Sequence, residues 1–173
     1  MSEFKPAITA TLKNEGFPGY SIDNNGAEVG AGINRHYWPG WSGWDKIDVL
    51  KSIRDKKTTN TELAKDPTFR ALVEAFYQAN FWTPMIAQIN DQGVANWVFD
   101  KAVQAGMIQA VKLIQRAAGV HDDGNFGPKT LAEINGASPA VLLANAKQQA
   151  VAFYQELHQK DPVKYPERMV SRA

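Results

Sequence analysis

The stretch Phe4-Lys5-Pro6-Ala7-Ile8-Thr9-Ala10-Thr11-Leu12-Lys13-Asn14-Glu15-Gly16 decides how this chain begins to fold. Phe4, Ile8 and Leu12 recur every four residues, with Ala7 and Thr11 beside them, which draws one apolar stripe along an amphipathic helix. Lys5, Lys13 and Asn14 fall on the solvent side. The spacing predicts a helix over residues 5–15, stopped by Gly16. Glu15 follows Leu12 by three residues and Ile8 by seven, so it projects the way the apolar face projects. A carboxylate at the edge of an apolar face is costly to keep ionised. A carboxylic acid that keeps its proton near neutral pH is what a glycosidase uses as general acid. Taken without its neighbours, Glu15 reads first as a helix-end acid paired with a nearby Lys or Arg.

Outward from this helix, residues 17–34 are rich in Gly, Asn, Asp and Pro and read as an irregular or β-hairpin stretch, with Asn25-Gly26 as the turn. Trp38, Trp41 and Trp44 fall within seven residues, next to Tyr37, in a loop that carries Pro39 and Gly40. Helical spacing resumes from Lys46 through Ile47, Leu50 and Ile53. Residues 61–65 and 66–80 read as helices, the second opened by Asp66-Pro67, and Thr83-Pro84 opens another by the same device. Val94, Trp97, Val98, Ala102 and Ala105 line one face of a central helix over 94–105, broken by Gly106. Helices over 107–118, 129–134 and 140–159 follow, with a turn at 122–127. The chain is read as mainly α with at most one small hairpin, as one domain over 1–173. Residues 1–90 hold the acid and loops, and 91–173 are helical.

Composition narrows the function. With 173 residues and a net charge of +1, the chain has no strong electrostatic reason to bind nucleic acid or an anionic membrane. Cysteine is absent, and His36, His121 and His158 lie too far apart to form a metal-spaced cluster, so no metal and no thiol chemistry is expected. No apolar run approaches the roughly 20 residues a membrane span needs. The first residues, Met-Ser-Glu-Phe-Lys-Pro, contain no signal-peptide core. The expectation is a monomer made in the cytoplasm that reaches an outside substrate by another export or release route.

Glu15 is followed by a glycine-rich loop carrying two more acids, Asp23 and Glu28. Glycoside hydrolysis uses one acid to protonate the leaving oxygen and usually a second carboxylate to position water or stabilise the transition state. Aromatic rings offer the flat faces on which sugars stack, so Tyr37 and Trp41 are candidate sugar contacts. Asp100, in an apolar helix, and Gln104 are further candidates for substrate contact. Asp123-Gly124 and Gly127-Pro128 read as turn chemistry before a helix.

These segments resemble a known family. Leu12-Lys13-Asn14-Glu15-Gly16, then Gly19-Tyr20-Ser21-Ile22-Asp23, then a Gly-rich stretch closing on Gly32-Ile33, look like the start of the glycoside hydrolase family 108 lysozymes, N-acetylmuramidases of bacteria and phages. The family usually runs Glu-Gly-Gly-Tyr; here Phe17-Pro18 stands before Gly19-Tyr20, and Val29 replaces a usual Thr. Phe76-Tyr77 with Phe81-Trp82 and the run Phe99 to Gly106 resemble later elements of the same family. Val111 to Ala117 and Asp123 to Leu131 resemble its predicted peptidoglycan-binding part.

The resemblance implies a lysozyme-like helical fold. It also implies cleavage of the β-1,4 bond between N-acetylmuramic acid and N-acetylglucosamine in peptidoglycan glycan strands. Glu15 would be the general acid, Asp23 or failing that Glu28 the assisting carboxylate, and Tyr20 a residue shaping the site, with no cofactor. The rival readings are a lytic transglycosylase, a non-catalytic peptidoglycan-binding module and a secretion-accessory protein.

Overall fold

The computed structural model describes residues 1–163 and 165–171. It resolves into two compact units, Phe4–Trp82 and Thr83–Ala173, the latter joined by Met1–Glu3. The fold is mainly α with one small antiparallel sheet.

The first unit opens with α1 (Phe4–Glu15), which buries Ala7, Ile8, Thr11 and Leu12, the stripe read from sequence. Its end is built by Gly16 at φ +71. Phe17 N–H donates to Leu12 C=O at 3.0 Å and Gly16 N–H to Lys13 C=O at 3.3 Å, the two closing bonds of a Schellman motif. Strands β1 (Ser21–Ile22), β2 (Glu28–Gly30) and β3 (Ile33–Asn34) then form a sheet in that order. The register pairs Ser21 with Val29, Ile22 with Glu28, Val29 with Asn34 and Gly30 with Ile33.

Where sequence predicted at most one hairpin, two occur in succession. The second connection is Ala31-Gly32, with φ of +51 and +82, a two-residue turn with both residues left-handed. Ala31 is not a residue that advertises that conformation, so the turn is invisible to pattern reading.

Helix α2 (Gly43–Ile53) begins inside the tryptophan cluster rather than at Lys46, because Trp44 and Ile47 are drawn together into the core. Helix α3 (Lys56–Lys65) starts five residues before its predicted start. Its first turn carries no apolar residue, and Asp55 caps it by accepting from Thr58 N–H at 2.9 Å. Asp66 likewise caps α4 (Pro67–Phe81), accepting from Thr68 and Phe69 N–H, and α4 buries Phe69, Val73 and Tyr77.

The second unit contains α5 (Pro84–Ala87), α6 (Gln92–Ala105), α7 (Met107–Ala117), α8 (Pro128–Gly136), α9 (Pro139–Lys160) and α10 (Arg168–Ser171). Helices α6, α7 and α9 pack on one another, and Gly106 at φ +85 turns the chain between α6 and α7. Ser2 ties the N-terminus to this unit through Ala87 C=O at 2.9 Å and Ile89 C=O at 2.7 Å. Buried Gln115 organises the 122–127 turn: it donates to Asp123 Oδ1, Asn125 C=O and Thr130 Oγ1 and accepts from Gly124 N–H. Among the described residues no helix is long and apolar enough to cross a membrane.

Candidate active site

Glu15 is the last residue of α1, half-buried, at the end of the helix where unpaired carbonyls gather negative potential. A carboxylate there costs about 0.3–1 kcal/mol, so helix stability does not explain its presence. Its setting is close-fitted. A methyl group added to Gly32 would lie 2.8 Å from Glu15 Oε2 and 2.7 Å from Tyr77 Oη, nearer than such atoms approach. Only glycine leaves room for the acid and the phenol, which both come up to this point of the turn.

The turn itself is clamped. Ala31 N–H donates to Pro18 C=O at 2.7 Å, and the buried Tyr77 hydroxyl donates to Ala31 C=O at 2.8 Å. These bonds hold a non-glycine residue in the left-handed region, a conformation that costs about 1–2 kcal/mol. Residue 77 thus reaches across 46 positions to fix the backbone that backs Glu15.

Asp23 closes the β1–β2 turn. Its Oδ1 accepts from Asn25 and Ala27 N–H, both at 2.9 Å, and its Oδ2 from Asn34 Nδ2 at 2.8 Å. The Ala27 backbone bond leads the interactions that hold its carboxyl below the ordinary Asp range. Glu28 is tied differently. Its Oε1 accepts from Tyr20 Oη at 2.8 Å and Lys51 Nζ at 2.6 Å, and its Oε2 from Arg35 at 2.7 Å. Arg35 also grips Asp48 with both arms at 2.7 Å and lies over the Trp44 ring. Burial alone would raise the Glu28 carboxyl, but the bonds from Lys51, Tyr20 and Arg35 outweigh it and hold the group below its usual range. Burial, then the Glu28 bond, pushes the Tyr20 phenol up.

The register separates these two acids. Glu28 shares the sheet face that meets Lys51 and Arg35, while Asp23 is held by Asn34, which pairs with Val29 on the opposite face. Three acids within fourteen residues of sequence therefore do not converge: Glu28 belongs with α2, and Asp23 lies on the side of Val29.

The aromatic loop is divided as well. Trp44 is 2 % exposed, with Nε1 donating to Trp38 C=O at 2.7 Å. Trp41, expected to meet sugar, is wedged over Gly43 among Trp44, Phe69 and Phe76. Tyr37 is open to solvent with its ring edge-on to His36, and Trp38 is open beside Phe76.

Asp100 and Gln104 lie in the second unit on α6. Asp100 is 3.6 Å from the buried Lys101 Nζ, and Gln104 Oε1 accepts from Lys101 at 2.8 Å and from Tyr154 Oη at 3.3 Å. Among the described residues no group of three or more His, Asp or Glu side chains is gathered to hold a metal.

Sequence reasoning missed Gly32, Tyr77, Trp38 and the Arg35–Asp48 pair. Gly32 had a signal, its place at the close of the Gly-rich segment. Tyr77 had one as well, its place in the family-like Phe76-Tyr77 element, but no role could be read for it because its partner is 46 positions away.

Residues 8–106 match the model of the Glycosyl hydrolase 108 family, and residues 109–170 match that of a Predicted Peptidoglycan domain. No curated protein matches the chain. Among solved structures, SagA from Brucella abortus is similar over 98 % of this chain and 92 % of its own, at 22 % identity and a TM-score of 0.58, a likeness of fold. The first match takes in α1, the sheet and α6, and so every site residue discussed above. The chain belongs to the glycosyl hydrolase 108 family, as a glycosidase that carries a peptidoglycan domain and acts on that polymer.

Proposed function

We propose that this glycosidase is an N-acetylmuramidase: it cleaves the β-1,4 bond between N-acetylmuramic acid and N-acetylglucosamine, with Glu15 as general acid. The observation that carries the reading is the close fit of Glu15 against Gly32, in a position that helix energetics disfavours. Glu15 would give its proton to the glycosidic oxygen as the bond breaks and charge builds on the sugar ring. Asp23, held ionised by three donors, is the carboxylate suited to face that positive charge or to orient water. Glu28, turned toward α2, positions Tyr20 instead. The substrate lies outside the cell membrane, so the protein works after export or release.

One observation favours a second reading. Asp23 and Glu28 each already spend their oxygens on three donors, which suits a lytic transglycosylase, an enzyme that needs a single acid and no second carboxylate. Mass spectrometry of fragments from purified peptidoglycan separates the two. Wild type should release reducing-end muramic acid, Glu15→Gln none, and Asp23→Asn markedly less than wild type. Anhydro-muramic ends would replace the muramidase by the transglycosylase, and equal release by Glu15→Gln would remove Glu15 from the chemistry.

A further inference from the structure

We propose that Trp38, backed by Phe76, is a stacking platform for a sugar of the glycan strand beside the one being cleaved; this rests on the muramidase reading. Of the three clustered tryptophans, Trp44 is sealed in the core and Trp41 is wedged among other rings, so neither offers an open face. Trp38 is 40 % exposed, against 74 % for Tyr37. The difference between those two is support. Trp38 stands against Phe76 with ring centres 4.9 Å apart and planes at 87°. Its N–H donates to Asn34 C=O at 3.0 Å, and its C=O accepts the Trp44 indole at 2.7 Å. Ring and backbone are both set before any ligand arrives, so binding orders little and loses little entropy.

The platform is continuous with the acid. Phe76 meets the Tyr77 ring at 5.3 Å, and the Tyr77 hydroxyl comes up to the same point of the Gly32 turn as Glu15. Two ring contacts thus lead from Trp38 to the reacting centre, which places it within reach of a neighbouring residue of the same strand. The platform itself carries no formal charge, and an indole face takes the C–H face of a pyranose. The occupant is therefore an uncharged N-acetylhexosamine ring rather than the charged stem peptide.

The test is calorimetric titration of Glu15→Gln and of Glu15→Gln with Trp38→Ala. The ligands are glycan hexasaccharide and disaccharide of alternating N-acetylglucosamine and N-acetylmuramic acid. Loss of the ring should weaken hexasaccharide binding about tenfold or more and leave disaccharide binding nearly unchanged. Trp38→Leu, which keeps apolar bulk on Phe76, serves if the alanine variant unfolds, and Trp38→Phe should restore most of the affinity. Equal hexasaccharide affinity with and without the ring overturns the platform, whatever the enzyme's products. If the ring is needed for binding while wild type releases no muramic-acid ends, the platform stands and the muramidase reading falls.

Discussion

Replacing Gly32 with alanine isolates the contact on which the active-site reading depends. Two effects act at once. At φ +82 an L-residue is strained by about 1–2 kcal/mol, or roughly 2–8 °C in Tm for a chain of this size. The new methyl would also sit 2.7 Å from Tyr77 Oη and 2.8 Å from Glu15 Oε2, where real contacts begin above 3.0 Å. Tyr77 is buried and bonded to Ala31, so the carboxylate, the more exposed of the two, is the group that gives way. A displacement on the order of 1 Å in a catalytic group costs about 100-fold in rate, equivalent to about 2.7 kcal/mol in the barrier. Gly26→Ala is the matched control: φ is +81, and nothing lies within 4 Å of the added methyl. It carries the backbone strain without the collision. Initial rates of soluble-fragment release, together with melting curves, should show kcat down about 100-fold in Gly32→Ala and within about threefold of wild type in Gly26→Ala. Equal rates in the two variants would refute the claim that this turn positions Glu15.

Further outcomes follow from neighbouring geometry. Tyr77→Phe removes the donor to Ala31 C=O and should cost about 1 kcal/mol in denaturant unfolding, with a fall in kcat and little change in KM. Gln115→Leu strands the Gly124 N–H and removes a shared donor from Asp123, Asn125 and Thr130, and should destabilise the protein by about 2–4 kcal/mol in the same assay. Glu28 tests linkage. Its folded pKa lies below its unfolded one, so its contribution is full above the unfolded value and is lost as pH falls through the folded one. Between about pH 6 and pH 3, Glu28→Gln should therefore lose less Tm than wild type does, as followed by circular dichroism.

Local chemistry was legible from the residues. Gly16 and Gly119 end helices, and Asp66-Pro67 and Thr83-Pro84 begin them, because caps are bonds between residues two to five positions apart. The same locality placed Glu15 at a helix end facing the apolar side, and the ordered motifs carried the family. What the residues left open depends on partners distant in sequence. Asp23 and Glu28 look alike as loop acids; only the β1–β2–β3 register, with its alternation of faces, sends one toward Asn34 and the other toward Lys51. Trp38, Trp41 and Trp44 read as equivalent until the fold buries Trp44, wedges Trp41 among Trp44, Phe69 and Phe76, and leaves Trp38 open beside Phe76. Ala31-Gly32 shows no usual turn signature, and its left-handed backbone persists because Tyr77, from the far end of the same unit, holds its carbonyl. Short-range hydrogen bonds wrote the helices and the acid's place on them, while long-range packing chose which polar and aromatic groups stand beside that acid.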